Sequence, residues 1–183
     1  DSRCAANSRQ TSRCLAAACL MLEVMSQATT QHCSAPTIDA LHPRGVASVR
    51  SLLAELPRNY PNADTWLKRR LDDALHGQAE CWTVAQVGRI VGVSILTPKP
   101  SSLKLSTIYV DDGMRGMGIG SILMDHVIER STELGFDETY VTVAARTVPL
   151  LRPLLDSRGF TLTAFENRYG RDRHEAVFTR LAS

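Results

Sequence analysis

A glycine-rich connection between a predicted strand and a predicted helix constrains this chain more than any other segment. The strand is predicted over residues 105–110, and the helix starts near Ile119, after which apolar residues recur at helical spacing until Gly135. Glycines stand at positions 116, 118 and 120. Backbone N–H groups at such a helix start can converge on an anion, which the helix dipole also attracts. The segment is therefore predicted to bind a phosphate group, with Arg115 as an added cation.

Residues at fixed spacing argue against two common classes of phosphate-binding loop. A Walker A loop ends in Gly-Lys followed by Ser or Thr, and no lysine follows these glycines. A dinucleotide-binding loop needs a third glycine where this chain has Ser121. Its ribose-binding acid also stands at the far end of the next strand, whereas Asp137 and Glu138 precede that strand here. A glycine-rich turn without a ligand remains the alternative, although clustered glycines at a helix start are costly.

The rest of the chain predicts a mixed α/β domain with an antiparallel first half. The expected order is two amphipathic helices, three strands, the helix after the glycines, a strand, a short helix and a final hairpin. These elements are predicted over residues 46–56, 66–75, 81–87, 90–96, 104–110, 119–134, 139–144, 148–157, 160–165 and 174–179. Pro57 is expected to end the first helix, and Gly88-Arg89 to form a tight hairpin turn.

Arg115, Gly118 and Gly120 match the pattern Arg/Gln-x-x-Gly-x-Gly/Ala, and a strand that ends at Val110 precedes them. This segment resembles the acyl-CoA-binding motif of the GNAT superfamily of N-acetyltransferases. The order of elements resembles the GNAT fold over almost everything after residue 36. The resemblance implies a mixed sheet flanked by helices, with antiparallel strands and one splayed parallel pair. It also implies that the pantetheine arm of coenzyme A enters between the two splayed strands.

Further residues are similar to an uncharacterised bacterial group within that superfamily. They are Tyr60-Pro61 followed by Trp66, Gly159-Phe160, Tyr169, and Glu175-Ala176-Val177-Phe178. Trp66 itself is expected to be a core residue.

The resemblance implies an N-acetyltransferase that transfers the acetyl group of acetyl-CoA directly to a primary amine of a small molecule or a protein. The residues implied in cofactor binding are Ile108, Val110, Arg115, Gly116, Met117, Gly118, Ile119, Gly120 and Ser121. The N–H groups of residues 116–121 would bind the pyrophosphate, and the N–H of Val110 would stabilise the oxyanion. A non-catalytic acyl-CoA-binding or interaction module is the alternative function, and a nucleotide-binding protein is a third.

The groups that would move protons do not match the superfamily's pattern. Many relatives carry a Glu on the strand after the glycine helix, an Asn beyond it, and a Tyr before the Gly-Phe pair. Residues 140–144 contain no Glu, and the other two positions hold, approximately, Val148 and Leu155. Tyr169, in the turn of the final hairpin, is the remaining candidate for the acid that protonates the thiolate.

Five other polar or reactive side chains lie near these elements. Asp111 and Asp112 are expected to cap the turn rather than act as bases, and Tyr109 faces either the active site or the core. His126 is expected to face solvent from the middle of its helix, and Cys81 to be a small core residue.

Composition limits the remaining function classes. A chain of 183 residues with 44% hydrophobic content predicts one domain, and a net charge of +2 gives no support for a nucleic-acid or membrane partner. The five cysteines lack paired spacing and histidine partners, so no metal site is expected and a reducing cytoplasm is favoured. A homodimer is left open.

Residues 1–35 differ in composition from residues 36–183, which are expected to form the acetyltransferase domain. The first segment is rich in Ser, Ala, Arg and Cys, and its apolar run from Leu15 to Met25 is too short to span a bilayer. It is interpreted as a weakly ordered extension, with Met25 resembling an ordinary start. A signal peptide is the alternative.

Overall fold

The computed structural model describes residues 35–60, 62–167 and 174–182 of the chain. Seven strands and five α-helices lie within these ranges. The strands are β1 (Thr37–Ala40), β2 (Glu80–Gln86), β3 (Arg89–Pro98), β4 (Leu103–Val110), β5 (Glu138–Ala144), β6 (Thr161–Asn167) and β7 (His174–Leu181). The helices are α1 (Val46–Leu52), α2 (Leu56–Asn59), α3 (Ala63–Leu75), α4 (Ile119–Glu133) and α5 (Val148–Asp156).

All seven strands form one sheet in the order β1-β2-β3-β4-β5-β7-β6. Neighbouring strands are antiparallel except β4 and β5, which run parallel. These two strands pair only at their starts, over Leu103–Leu105 and Thr139–Val141. The predicted fold class is therefore confirmed: a mixed sheet with one splayed parallel pair, flanked by helices.

The splay arises because each of the two strands keeps its outer neighbour. β4 stays paired with β3 up to Val110, and β5 stays paired with β7 up to Ala144. The backbone hydrogen bonds to the outer neighbours are thus kept while the carboxyl-terminal ends of β4 and β5 separate. A gap opens at the centre of the sheet.

Helices cover both faces of this sheet. Gly92 of β3 faces α4, whereas Val93 and Ile95 of the same strand belong to the core cluster that includes α1 and α3. The cluster on the α4 side also includes α5, whose Leu155 belongs to the same core as Leu105, Met124, Val127 and Phe178. The two faces of the sheet therefore have separate apolar cores.

The start of α4 lies unusually close to β3. A Cβ atom at Gly92 would be 2.7 Å from Cγ2 of Ile119 and 3.1 Å from Cδ1 of Leu123. Ile119, the first residue of α4, is almost completely buried in the same contact. Only glycine at position 92 allows this approach, which fixes the position of the helix start relative to the gap.

Two local predictions were wrong, and one strand was not predicted. α1 ends at Leu52, and Pro57 lies in the first turn of α2, where its missing N–H costs nothing, so it begins a helix rather than ending one. The hairpin turn is Val87-Gly88, with positive φ at both residues, one position earlier than predicted. The short edge strand β1 was not predicted because its four residues are mostly exposed and show no apolar alternation.

Candidate active site

A cavity of about 1080 Å³ occupies the gap between β4 and β5. Its walls are the ends of both strands, the glycine-rich loop, the start of α4 and the segment 53–69 that contains α2 and the start of α3. Tyr169, the predicted acid, lies outside the described residues. Within the described ranges, the cavity brings together most of the predicted cofactor-binding residues: Ile108, Val110, Arg115, Gly116, Gly118, Gly120 and Ser121.

The glycine-rich loop presents backbone rather than side chains to this cavity. Gly116 and Gly118 have φ values of 77° and 82°, and a Cβ atom at either position would meet nothing within 4 Å. The first hydrogen bond within α4 runs from the N–H of Ile122 to the carbonyl of Gly118. The N–H groups of residues 119–121 therefore have no acceptor inside the helix, and open space lies beside them.

The remaining residues of the loop have different surroundings. A Cβ atom at Gly120 would lie 3.4 Å from Cδ2 of Leu154, so this glycine packs against α5. The side chain of Ile119 is in the core, and that of Met117 is 56% exposed and does not line the cavity. Met117 and Ile119 can thus contribute only backbone groups to a ligand in the cavity.

The N–H of Val110 points into the gap. The N–H of Asp111 donates to the carbonyl of Val91 on β3 at 2.9 Å. Because successive residues of an antiparallel strand alternate in direction, the N–H of Val110 is directed away from β3, and so is the N–H of Ile108. On that side β4 has already separated from β5.

Acidic residues after β4 hold the loop in place. Oδ1 of Asp111 accepts from the N–H of Gly113 at 3.0 Å, which confirms the predicted cap, and its Oδ2 pairs with Arg89. Asp112 pairs with Arg115 at 2.5 Å. Arg115 is thus held at the mouth of the cavity, although about half of its side chain is exposed.

Tyr109 contacts both the core and the cavity, the two surroundings that the sequence left open for it. Its ring packs against the core cluster of α1 and α3, and it also lines the cavity. Its hydroxyl donates to Oδ1 of Asp112 at 3.3 Å. Burial and the nearby carboxylate of Asp112 raise the pKa of this phenol above its ordinary value.

Comparison with known families identifies this arrangement. Residues 46–160 match the model of the acetyltransferase (GNAT) family. The chain belongs to the GNAT acetyltransferase family. It is an acyltransferase that uses acetyl-CoA, and the matched region includes β4, the glycine-rich loop and α4. No curated protein sequence matches the chain significantly.

Solved structures share the GNAT fold with this chain at low sequence identity. One is a GNAT family acetyltransferase from Elizabethkingia anophelis with acetyl-CoA bound, with 15% identity and a TM-score of 0.62, over 81% of this chain and 99% of that one. Ard1 from Thermoplasma volcanium has 22% identity and a TM-score of 0.67 over 81% and 99%. A ribosomal-protein alanine N-acetyltransferase from Escherichia coli has 18% identity and a TM-score of 0.66 over 80% and 94%.

The described residues of the loop fit acetyl-CoA. A pyrophosphate needs several N–H donors that side chains do not cover, and the open space beside Gly116 and Gly118 meets that need. A cavity of about 1080 Å³ is also large enough for a cofactor with a long flexible arm.

Glu175 is a cavity residue that sequence reasoning missed as a functional candidate. It lies on β7 opposite Ala144, the last residue of β5, and is only 3% exposed. The signal in the sequence is a carboxylate that precedes the apolar run Ala176-Val177-Phe178 on a predicted strand. In the sequence analysis this segment serves only as a point of similarity to other GNAT proteins.

The described part of the chain also tests three other sequence predictions. His126 does not face solvent: its ring lies 4.1 Å from the ring of Trp82, and its side chain is 17% exposed. Cys81 is buried in the core, as predicted, and burial raises the pKa of its thiol to about 12. Trp66 packs partly in the core and also lines the cavity.

No group of three or more His, Cys, Asp or Glu side chains among the described residues is arranged to hold a metal ion. None of the helices in the same ranges is long and apolar enough to cross a membrane.

Proposed function

We propose that this GNAT acetyltransferase transfers the acetyl group of acetyl-CoA directly to the nitrogen of a primary amine. The observation that carries the proposal is the gap between β4 and β5, which places the outward N–H of Val110 and the free N–H groups of α4 around one cavity. These two donor sets suit two groups of an acyl-CoA, the thioester carbonyl and the pyrophosphate.

Each cofactor-binding residue has a proposed role. The N–H groups of residues 116–121 bind the pyrophosphate, each charge-assisted bond contributing about 1.5–3 kcal/mol. Arg115 adds positive charge at the mouth, and backbone groups of Ile108 bind the pantetheine arm. The N–H of Val110 donates to the thioester oxygen, where negative charge develops as the amine attacks.

Transfer requires a neutral amine and a proton for the departing sulfur. The amine lone pair attacks the carbonyl carbon, the C–S bond breaks, and its electron pair stays on sulfur. Tyr169 is proposed to give the thiolate its proton and to recover one from the attacking nitrogen. Holding the amine against the thioester supplies much of the remaining acceleration.

The acceptor is proposed to be a small-molecule or protein amine that enters past the segment 53–69. The E. coli neighbour, which acetylates an alanine of a ribosomal protein, supports including protein N-termini among the candidates. Residues 36–183 are proposed to form the catalytic domain, which acts in the cytoplasm. The unpaired cysteine spacing supports a reducing compartment.

The test is release of free CoA thiol from acetyl-CoA by the full chain with a panel of amines. Polyamines, amino acids, aminoglycosides and peptides with free N-termini cover the main classes. The matched control for each active amine is its N-acetylated form, which offers no nucleophile. Thiol release that depends on the free amine supports the proposal, whereas acetyl-CoA binding without turnover on any amine favours the non-catalytic module.

A further inference from the structure

Glu175 is an isolated carboxylate in a buried position. Its atom Oε2 is buried, and no hydrogen-bond donor from the described residues reaches it. A buried polar atom without a partner is costly, and native structures contain few of them. The side chain lines the cavity, so a bound molecule can supply the missing donor.

The register of the sheet explains why this side chain points into the cavity. Ala176 and Phe178 belong to the core on the α4 and α5 side of the sheet. Because side chains alternate along a strand, Glu175 lies on the opposite face, beside the end of β5 where the gap is open. Tyr109, from β4, borders the cavity on that same face.

The charges around the cavity single out Glu175 among its carboxylates. The other described carboxylate in the lining, Glu55, is more than half exposed and pairs with Arg58. The remaining charged side chains of the lining are cationic: Arg69, Lys104, Arg115 and Arg146. On the far side of β7, the residue that faces Glu175 in β6 is Glu166, which does not line the cavity.

We propose that Glu175 is a catalytic residue that binds the acceptor as an ammonium ion and removes its proton. The proposal rests on the proposed amine acetylation and assigns the base that residues 140–144 of β5, on the cavity side of that strand, lack. β7 supplies the carboxylate at the level of Ala144, the last residue of β5. A base must reach the proton it takes, and the cavity gives this side chain that access.

The proton balance of the step is complete. The ammonium N–H bond breaks, the proton joins Oε2 of Glu175, and the electron pair remains on nitrogen. That pair forms the C–N bond to the acetyl carbon, and the C–S electron pair leaves on sulfur. The second nitrogen proton balances the one that the departing sulfur takes up, and Glu175 returns its own proton to solvent.

The test is Glu175→Gln in the full chain, with an amine identified by thiol release for the parent protein. Glutamine has nearly the same shape but cannot accept the proton, so kcat/KM for the amine should fall about 10²–10⁴-fold. The Kd for acetyl-CoA should stay within about threefold of the parent. Glu138→Gln is the matched control, because it makes the same change at the far end of β5, outside the cavity, and should leave both values unchanged.

The pH dependence separates a base from a structural group. An amine that has already lost its proton needs no base, so the deficit of Glu175→Gln should shrink as the pH approaches the pKa of the acceptor, about 8 for an α-amine. Glu175→Asp, which keeps a carboxylate, should recover part of the rate. A deficit that is the same at every pH, or a matching loss of acetyl-CoA affinity, would mean a structural role.

Failure of this assignment differs from failure of the proposed function. Parent turnover with an unchanged kcat/KM in Glu175→Gln overturns the assignment and leaves amine acetylation intact. Absence of parent turnover on every amine, despite acetyl-CoA binding, overturns both.

Discussion

Substituting Gly118 with valine tests the phosphate site directly. The Cβ atom of the new side chain would enter the open space beside the N–H groups at the start of α4. If that space holds the pyrophosphate, loss of one charge-assisted hydrogen bond weakens binding by about 1.5–3 kcal/mol. At about 1.4 kcal/mol per tenfold, the Kd for CoA should rise about 10- to 150-fold.

The same substitution also strains the backbone, so the two effects must be separated. At φ of 82°, a β-branched residue costs about 1–3 kcal/mol of folding stability whether or not a ligand binds there. Gly135→Val is the matched control, because Gly135 follows the other end of α4, has φ of 72° and also has open space around its Cβ position. It should lower stability by a similar amount.

The assay is titration calorimetry with CoA, together with the thermal midpoint of each variant. Gly118→Val should lose affinity and Gly135→Val should keep it, while both midpoints fall. Unchanged affinity in a folded Gly118→Val protein would refute the idea that this loop binds the pyrophosphate. Equal losses of affinity in the two variants would mean that strain in α4, rather than the occupied space, controls binding.

Three further predictions concern packing, catalysis and pH. Gly92→Ala should lower the free energy of unfolding by about 1–3 kcal/mol, because its Cβ would overlap Ile119; denaturant unfolding that matches the parent would contradict this. Tyr169→Phe should lower kcat about 10²–10⁴-fold in the thiol-release assay with little change in CoA affinity, and a kcat close to the parent value would remove its role as the acid. Burial would raise the pKa of Glu80, but hydrogen bonds from Arg130 and Trp82 outweigh burial and lower the pKa below 4.5. The ionised carboxylate therefore stabilises the fold at pH values above 4.5, and this stabilisation is lost as the pH falls through the lowered pKa. Glu80→Gln should therefore cost about 1.5–3 kcal/mol at neutral pH, with the difference from the parent narrowing in acid; a constant difference would show that ionisation of Glu80 is not its source.

Local features of the chain could be predicted from sequence because local residues determine them. The glycines at positive φ, the helix that follows them and the cap at Asp111 are set within a few residues of chain. The turn at Val87-Gly88 was predicted one residue too late because a β-branched residue such as Val87 rarely adopts a positive φ. Position 126 was misjudged because Trp82, from a distant strand, covers what would otherwise be an exposed part of α4.

The separation of β4 and β5 could be taken from the resemblance, whereas the position of Glu175 could not. Its burial depends on the pairing of β7 with β5, and its side-chain direction on the register that sets Glu175 opposite Ala144. A shift of one residue in that register would turn the carboxylate to the apolar core with Phe178. No local pattern in residues 174–181 fixes that choice.

The gap in the sheet suits the proposed acetyl transfer even though the described lining of the cavity holds only two carboxylates. Two strands that separate expose backbone N–H groups that a continuous sheet would use for pairing, and Val110 provides such a group at the end of β4. A backbone donor is fixed by the fold and has no side chain to order, so a hydrogen bond from it to a developing oxyanion would need little reorganisation. In the proposed reaction the side chains then have to supply only the transfer of protons. A side chain on any strand that borders the gap can donate or accept those protons, so the acid or the base need not lie on β5.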